Sequence, residues 1–336
     1  MRTIYHIADG LLEKQIPFVL ATVIRTWGSA PRKEGSHMLI WEDQMLGSVS
    51  GGCVENDVFT KASEITHDVS GRLLHYGVSD EDAWGVGLSC GGKIDVLLEC
   101  FSSERDADRN YWNVIREAIE HDTGGIVIHP LSGEQDMRTA ILAGKWSDSE
   151  MDKLSRSTFE KRAHTIITVN TSEFFIEVIP PRHRLIIIGA AHITVELVNL
   201  ARQFDFEVSV IDPLGFYSEK TMFTQQPDHI YSAWPVEVLA DISLTSYTYA
   251  VTLSHDPKID DQALEILLRS DIAYIGALGS KKTHAKRISR LEAAGFTPEQ
   301  IGRIHAPVGL DINAQSAQEI ALSILADLIR EKNKYL

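Results

Sequence analysis

The fold of this protein is decided by the stretch Leu185-Ile186-Ile187-Ile188-Gly189-Ala190-Ala191-His192-Ile193-Thr194. Its four successive aliphatic residues are typical of a strand that is buried on both faces of a parallel sheet. Gly189 predicts a tight turn after that strand, because glycine adopts a positive φ without strain. We expect His192 to begin a helix and Asp212 to end the next strand. This order of elements is typical of a dinucleotide-binding unit, in which a helix N-terminus holds pyrophosphate and a carboxylate holds a ribose hydroxyl.

The same stretch lacks two of the three glycines of the dinucleotide-binding pattern. Ala191 replaces the glycine that lets backbone approach the pyrophosphate, and Thr194 replaces the one that allows close packing of helix on strand. A Rossmann-like fold is therefore better supported than NAD binding, and a domain with a lost or altered nucleotide site is an equal alternative. We expect NAD or NADP to bind weakly, or displaced towards Gly279–Lys281. Asp212 favours NAD over NADP, since a carboxylate repels a 2′-phosphate.

Strands and helices alternate through residues 184–336, which predicts a parallel sheet with helices on both faces. Ligands bind at the carboxyl ends of such strands, and two of these ends are polar. Ser280 and Lys281 open a helix and are candidates for holding a phosphate, although a solvated first turn is equally typical. His255 precedes Asp256, which fits an acid–base pair, a metal ligand or a structural turn.

Pro180 and Pro181 mark the expected domain boundary, because two prolines do not continue a regular element. Residues 1–180 are predicted to form an α+β domain with a core at 1–101 and a variable, strand-rich part at 102–180. In the core we expect a helix in residues 1–17, a strand, a hairpin and a helix at Cys53–Asp68. The predicted fold class is thus α/β, with this α+β domain followed by the Rossmann-like parallel sheet domain.

Bulk composition limits the classes of function. The 336 residues include 47 acidic and 32 basic side chains, which gives a net charge of −15. This charge argues against a nucleic-acid partner, which needs a basic face, and against attraction to anionic membranes. We see no signal peptide and no apolar run long enough to span a membrane. Three cysteines do not make a disulfide framework and are typical of a protein in the reducing cytoplasm.

A cysteine follows a glycine-rich turn in the stretch Gly47-Ser48-Val49-Ser50-Gly51-Gly52-Cys53. We expect Cys53 in the first turn of a helix, where free N–H groups favour the thiolate. A thiolate attacks electrophiles or binds soft metals. A second such turn, Ser89-Cys90-Gly91-Gly92, favours function over the alternative of two buried thiols. Cys100 lies inside a predicted strand and is expected in the core.

Together these segments resemble the XdhC/CoxI family, the accessory proteins of xanthine dehydrogenase and related molybdenum hydroxylases. The family usually has Gly-Ala-Gly-His where this chain has Gly189-Ala190-Ala191-His192, and commonly Thr-His-Asp-His near the position of Ser254-His255-Asp256-Pro257. The resemblance covers most of the chain outside about 102–180. It depends on a collinear set of motifs: Gly28-Ser29-Ala30-Pro31-Arg32, Gly47–Glu55, Cys90-Gly91-Gly92, Thr252–Asp256, Tyr274–Lys281 and Ala306–Ile312.

The resemblance implies a protein that binds the molybdenum cofactor (molybdopterin), assists its sulfuration and inserts it into an apo-enzyme. Its implied partners are apo-xanthine dehydrogenase or a related molybdenum hydroxylase, a cysteine desulfurase and a second copy in a homodimer. Cys53 is the expected contact with the metal or its sulfur, and Cys90 is the second candidate. Arg32 is a candidate for holding the phosphate, against the alternative of a solvated loop. The candidate cofactor-binding residues are Arg32, Gly51, Gly52, Cys53, Cys90, Gly189, His192, Asp212, His255, Ser280 and Lys281.

Two alternatives remain open at the level of sequence. One is an NAD(P)-dependent oxidoreductase or a subunit of a xanthine dehydrogenase complex, and the other is a scaffold that only docks on the dehydrogenase. A chaperone predicts pterin binding without turnover. An oxidoreductase predicts tight NAD(P) binding with turnover, and a scaffold predicts neither.

Overall fold

The computed structural model describes residues 2–65, 71–77, 92–131, 138–215 and 223–335. The chain divides into two compact units, of which the first ends at Pro181 and the second spans Arg182–Tyr335. That each unit folds by itself remains a prediction. Among the described residues, no helix is both long and apolar enough to cross a bilayer.

The first unit contains an antiparallel five-stranded sheet and an antiparallel four-stranded sheet. The strand orders are β3-β2-β1-β5-β4 and β7-β6-β9-β8. Its described elements are, in chain order, α1 (Arg2–Glu13), β1 (Phe18–Trp27), β2 (His37–Trp41), β3 (Gln44–Gly47), α2 (Glu55–Ser63), β4 (Arg72–Tyr76), β5 (Lys93–Phe101), α3 (Asp106–Glu120), β6 (Gly125–Pro130), β7 (Thr139–Leu142), α4 (Glu150–Lys161), β8 (Thr165–Val169) and β9 (Ser172–Ile179).

Strand β1 separates two cores because its side chains alternate between the faces of the sheet. Val19, Ala21 and Val23 pack in a cluster that also contains residues of α2, whereas Phe18 and Leu20 pack with residues of α1 and α3. The hairpin predicted between β2 and β3 is confirmed, with Trp41 opposite Gln44. Cys100 is buried in the first of these clusters, as expected.

The strand-rich interpretation of residues 124–180 is wrong in one element, because Glu150–Lys161 is a helix. The side chain of Ser149 caps it by accepting the N–H of Asp152, and Arg162 ends it in the left-handed region. Its buried residues are the polar Ser155 and Thr158, while the apolar Met151 and Phe159 are only partly buried, so the apolar stripe in the sequence is weak. The usable signal was the cap: a serine followed by two acidic residues in the first turn.

The second unit is a parallel six-stranded sheet with the order β12-β11-β10-β13-β14-β15. The predicted Rossmann-like architecture is confirmed, and β10 lies inside the sheet between β11 and β13. Its elements are β10 (His183–Ile188), α5 (His192–Ala201), β11 (Phe206–Ile211), β12 (His229–Tyr231), α6 (Pro235–Asp241), β13 (Thr248–Thr252), α7 (Pro257–Leu267), β14 (Tyr274–Ala277), α8 (Lys281–Ala293), α9 (Pro298–Ile301), β15 (Ile304–His305) and α10 (Ala317–Lys332), with short 3-10 turns at Arg202–Phe204 and Asn333–Tyr335.

The central strand β10 is covered on both faces, as its four aliphatic residues predicted. Leu185 and Ile187 pack in one core with residues of α5 and α10. Ile186 and Ile188 pack in a second core with residues of α7. The sheet therefore holds the carboxyl ends of β10, β13 and β14 at one edge, where the polar loops follow.

Candidate functional site

Cys53 lies in the loop between β3 and α2, two residues before the helix begins at Glu55. The expectation that it lies in the first helical turn is wrong, because the hydroxyl of Ser50 accepts the N–H groups of both Cys53 and Val54 at 3.0 Å. These bonds form a turn ahead of the helix. Gly51 and Gly52 have φ of 83° and 117°, which requires glycine at this turn. Cys53 is a free thiol and half-buried.

The loop N–H groups, which were expected to be free and to favour the thiolate, are instead bound by the chain itself. Both carboxylate oxygens of Glu55 accept hydrogen bonds, which come from the backbone N–H groups of Val49, Ser50, Gly51 and Gly52 and from the hydroxyls of Ser48 and Ser50, all at 2.6–3.1 Å. Burial alone raises the pKa of Glu55, but the hydrogen bonds from Ser48 and Ser50 outweigh it and lower the pKa to about 2. Glu55 is therefore an internal anion in this loop at neutral pH.

Three motifs that are distant in sequence meet around this loop. A Cβ on Gly51 would lie 3.8 Å from Cβ of Pro31, and a Cβ on Gly92 would lie 2.8 Å from the backbone nitrogen of Ala30. Ala30 and Cys53 pack against the same apolar cluster. The structure therefore brings together the Gly-Ser-Ala-Pro-Arg motif, the Ser-Gly-Gly-Cys motif and the glycine that ends the second Cys/Gly motif. Cys90 itself lies outside the described residues.

The surface of this region combines a soft sulfur with basic side chains. Arg32 is exposed in the loop that contacts Gly51, and the following Lys33 is exposed as well. A Cβ on Gly52 would meet no atom of the described residues within 4 Å. A half-buried thiol and an exposed guanidinium on neighbouring loops suit a ligand that has both a soft centre and a phosphate.

In the second unit, Gly189 forms the predicted tight turn with φ of 92°. The fold requires glycine at this position, because a Cβ here would lie only 2.4 Å from Cα of Ser254, which follows β13. His192 begins α5, as predicted, and is exposed. The hydroxyl of Thr194 donates to the carbonyl of Gly189 at 2.7 Å. Thr194 thus ties the turn to the helix at the position where the dinucleotide pattern has glycine.

The other candidates of this unit are placed at the strand ends, but mostly in local structural roles. Asp212 directly follows β11 and is buried, with 4% of its surface exposed. His255 is exposed in the left-handed region, while Asp256 caps α7 by accepting the N–H of Lys258 at 2.8 Å. Ser280 caps α8 through the N–H of Thr283, and Lys281 is exposed in the first turn. For both segments the geometry fits the alternative of a structural turn or cap.

A fully buried ionic network between the two sheets of the first unit was missed at the level of sequence. His37 Nε2 lies 2.7 Å from Glu177 Oε1, and Tyr5 donates to the same oxygen at 2.9 Å. His129 lies between two carboxylates, with Nε2 3.2 Å from Glu177 Oε2 and Nδ1 2.6 Å from Glu99 Oε2. Glu177 interrupts the apolar run Phe-Phe-Ile-Glu-Val-Ile and His129 ends the apolar run Ile-Val-Ile, and these interruptions were the signal available.

The network fixes the charge of its members. Burial by itself lowers the pKa of His129, but the carboxylates of Glu99 and Glu177 outweigh burial and raise it to about 9. Burial raises the pKa of Glu177, yet His37 and His129 hold it well below its ordinary value. Across the described ranges, no three His, Cys, Asp or Glu residues are grouped closely enough to hold a metal ion.

Comparisons with known proteins place this geometry in a family. A family model for the XdhC Rossmann domain matches residues 185–328, and one for the XdhC and CoxI family matches residues 11–77. A Bacillus subtilis (strain 168) protein, described as a probable xanthine dehydrogenase subunit, is 31% identical over 341 residues that cover 99% of each chain. The chain belongs to the XdhC and CoxI family. The two matched ranges contain every candidate site residue of the sequence analysis except Cys90.

Two further relatives of this XdhC-family protein extend over nearly its whole length. The molybdenum cofactor insertion chaperone PaoD from Escherichia coli (strain K12) is 26% identical over 336 residues, which cover 97% of this chain and 87% of that protein. A crystal structure of a xanthine dehydrogenase from Bacillus halodurans is similar with a TM-score of 0.73 and 29% identity, over 98% of this chain and 95% of that chain. The predicted family and fold class are therefore confirmed.

Proposed function

We propose that this protein is a chaperone that binds molybdenum cofactor as cargo, assists its sulfuration and delivers it to apo-xanthine dehydrogenase or a related molybdenum hydroxylase. The proposal is supported by membership of the XdhC and CoxI family and by similarity to a relative named as a molybdenum cofactor insertion chaperone. In this proposal the protein is an accessory protein without turnover of its own, and it works in the reducing cytoplasm.

The observation that carries the proposal is the meeting of three glycine-containing motifs around the half-buried thiol of Cys53. Molybdenum and its dithiolene sulfurs are soft, and thiolate is the protein ligand that suits soft centres. Because Glu55 occupies the N–H groups of this loop, we assign the cofactor phosphate to Arg32 rather than to the Ser-Gly-Gly backbone. Cys90 remains the second proposed thiol contact.

The test is retention of cofactor by the purified full-length protein. After incubation with molybdopterin and gel filtration, we expect the wild type to keep pterin fluorescence and molybdenum, and Cys53→Ala to lose both. Cys100→Ala is the matched control, since that thiol is buried in the core. Full retention by Cys53→Ala would show that Cys53 is not the contact, and no retention by the wild type would remove the proposed function.

A second measurement on the same protein distinguishes the chaperone from the alternative of an NAD(P)-dependent oxidoreductase. Calorimetric titration with NAD and NADP is expected to show weak binding of both, since Ala191 places a methyl group where pyrophosphate needs bare backbone. His192, His255 and Lys281 are the exposed candidates for any such contact. Tight binding with hydride transfer to a purine would favour the enzyme. A cysteine desulfurase and a second copy of the chain remain proposed partners, to be tested by co-purification and by the measured mass in solution.

A further inference from the structure

Glu55 is held by more hydrogen bonds than capping a helix requires. A carboxylate offers about four lone-pair directions, and here Oε1 accepts four hydrogen bonds and Oε2 accepts two. Successive backbone N–H groups that converge in this way form an anion-binding nest. In this protein the nest is filled by a side chain of the chain itself.

The same carboxylate controls the backbone of the cysteine. The hydroxyl of Ser50 donates to Glu55 Oε2 at 2.6 Å and accepts the N–H of Cys53 at 3.0 Å. The preceding residue, Gly52, donates its own N–H to Glu55 Oε2 at 2.8 Å. The position of Cys53 is therefore tied to Glu55 through both its own amide and that of its neighbour.

We propose that Glu55 is a positioning residue that holds the thiol of Cys53 in its half-buried position and fills the anion-binding nest, so that the loop receives soft centres, a metal or a sulfur, and not phosphate or carboxylate groups. The identity of the cargo rests on the proposed function above. The positioning itself does not, because it concerns only the loop and its thiol. The competing explanation is that Glu55 is merely an acid in the first turn of α2, which stabilises the helix.

The first test measures the thiol without any cofactor. We compare wild type, Glu55→Ala and Glu55→Gln in the rate of alkylation of Cys53 by iodoacetamide, resolved from Cys90 by peptide mass spectrometry. Glu55→Ala is expected to react about fivefold faster or more, since loss of the carboxylate frees the loop and uncovers the half-buried thiol. The matched control is Glu64→Ala at the other end of the same helix, where the carboxylate pairs with Arg72 at the surface.

Rescue of Glu55→Ala by a small carboxylate tests whether Glu55 positions the thiol or only stabilises helix α2. Sodium acetate added to Glu55→Ala is expected to enter the vacated nest and return the alkylation rate towards that of wild type, whereas sodium chloride at equal ionic strength is not. Glu55→Gln keeps the volume but presents an amide to the N–H groups, so it is expected to show the faster rate without acetate rescue. A wild-type rate within about twofold for both variants would overturn the proposal. A faster rate that acetate leaves unchanged in Glu55→Ala would overturn it as well.

The exclusion of phosphate from the nest is tested by a separate measurement of the alkylation rate. Inorganic phosphate is expected to protect Cys53 from alkylation in Glu55→Ala and to leave the wild-type rate unchanged. Protection of the wild type at the same concentration that persists in Arg32→Ala would show that the nest is not filled by Glu55, and would overturn this half of the proposal. Where Glu55→Ala gives no cooperative unfolding transition, the comparison of Glu55→Gln with Glu64→Ala decides, and a matching rate in those two variants overturns the positioning role. None of these outcomes depends on whether the protein binds molybdenum cofactor.

Discussion

The two units of this protein bury their sheets in opposite ways. In the second unit, β10 is aliphatic on both faces, and Leu185 and Ile187 are fully buried in an apolar core. In the first unit, the two sheets are joined by Glu177, His129 and Glu99, which are equally buried but ionised. Burial of an aliphatic side chain is favourable by itself, whereas a buried charge is tolerated only when its partners are in place.

The difference shows that the burial of charged groups depends on the geometry of their partners, whereas the burial of aliphatic side chains does not. An aliphatic strand tolerates small shifts, because the hydrophobic effect is not directional. The His–Glu network requires atoms of β2, β5, β6 and β9 to meet within hydrogen-bond distance. We therefore expect the first unit to respond to charge and pH, and the second to respond to lost volume.

The largest effect is expected from Glu177→Ala. This substitution leaves His37, His129 and Tyr5 without their shared acceptor, so we expect the free energy of unfolding of the first unit to fall by about 3–5 kcal/mol. Urea unfolding followed by tryptophan fluorescence measures it, since five of the six tryptophans precede Pro181.

The control for that prediction is Glu173→Ala in the same strand. Glu173 is half-exposed and pairs with Arg25 at 3.1 Å, so its loss is expected to cost no more than about 1 kcal/mol. Equal effects of the two substitutions would mean that the buried network does not hold the sheets together.

The second prediction is a dependence of stability on pH. The pKa of His129 is about 9 in the folded chain against an ordinary 6.5, so the folded state binds this proton more tightly than the unfolded state. The resulting stabilisation, about 3 kcal/mol, is fully present below pH 6.5 and is lost as pH rises through about 9.

His129→Gln tests this assignment directly. The variant is expected to be less stable at neutral pH and to lose most of the decline in stability between neutral pH and about 9, as measured by urea unfolding at a series of pH values. If the decline in stability persists unchanged in His129→Gln, groups other than His129 cause it.

The smallest effect is expected in the aliphatic strand. Ile187→Val removes one methylene from a fully buried site and is expected to cost about 1 kcal/mol in the second unit, followed by circular dichroism. Because no charge is involved, this cost should be the same on both sides of the pH range in which His129 titrates. Ile312→Val, at a half-exposed residue, serves as the control and should be near neutral. If the loss of stability caused by Ile187→Val depended on pH, the contrast between the two units would be wrong.

Much of the fold could be predicted because each element depends on local patterns. The aliphatic run before Gly189 determines a buried strand, and Ser316 with Glu319 forms a capping box that opens the final helix. The helix Glu150–Lys161 was missed because its buried residues, Ser155 and Thr158, are polar, which leaves the cap at Ser149 as its clearest local signal. The candidate thiol of Cys53 was found from its glycine-rich turn, while its place before the helix depends on the hydroxyl of Ser50.

By itself, the sequence determined the family, the order of the elements and the central position of β10, because period, turn chemistry and apolar runs act over a few neighbouring residues. Only the tertiary structure decided what the polar groups do. It brought Gly189 into close approach with Ser254 at the end of the neighbouring parallel strand. It also joined His129 to Glu99 and Glu177 across 30 and 48 residues of sequence. Hydrogen bonds are directional and short, so their partners are set by where distant segments come to lie.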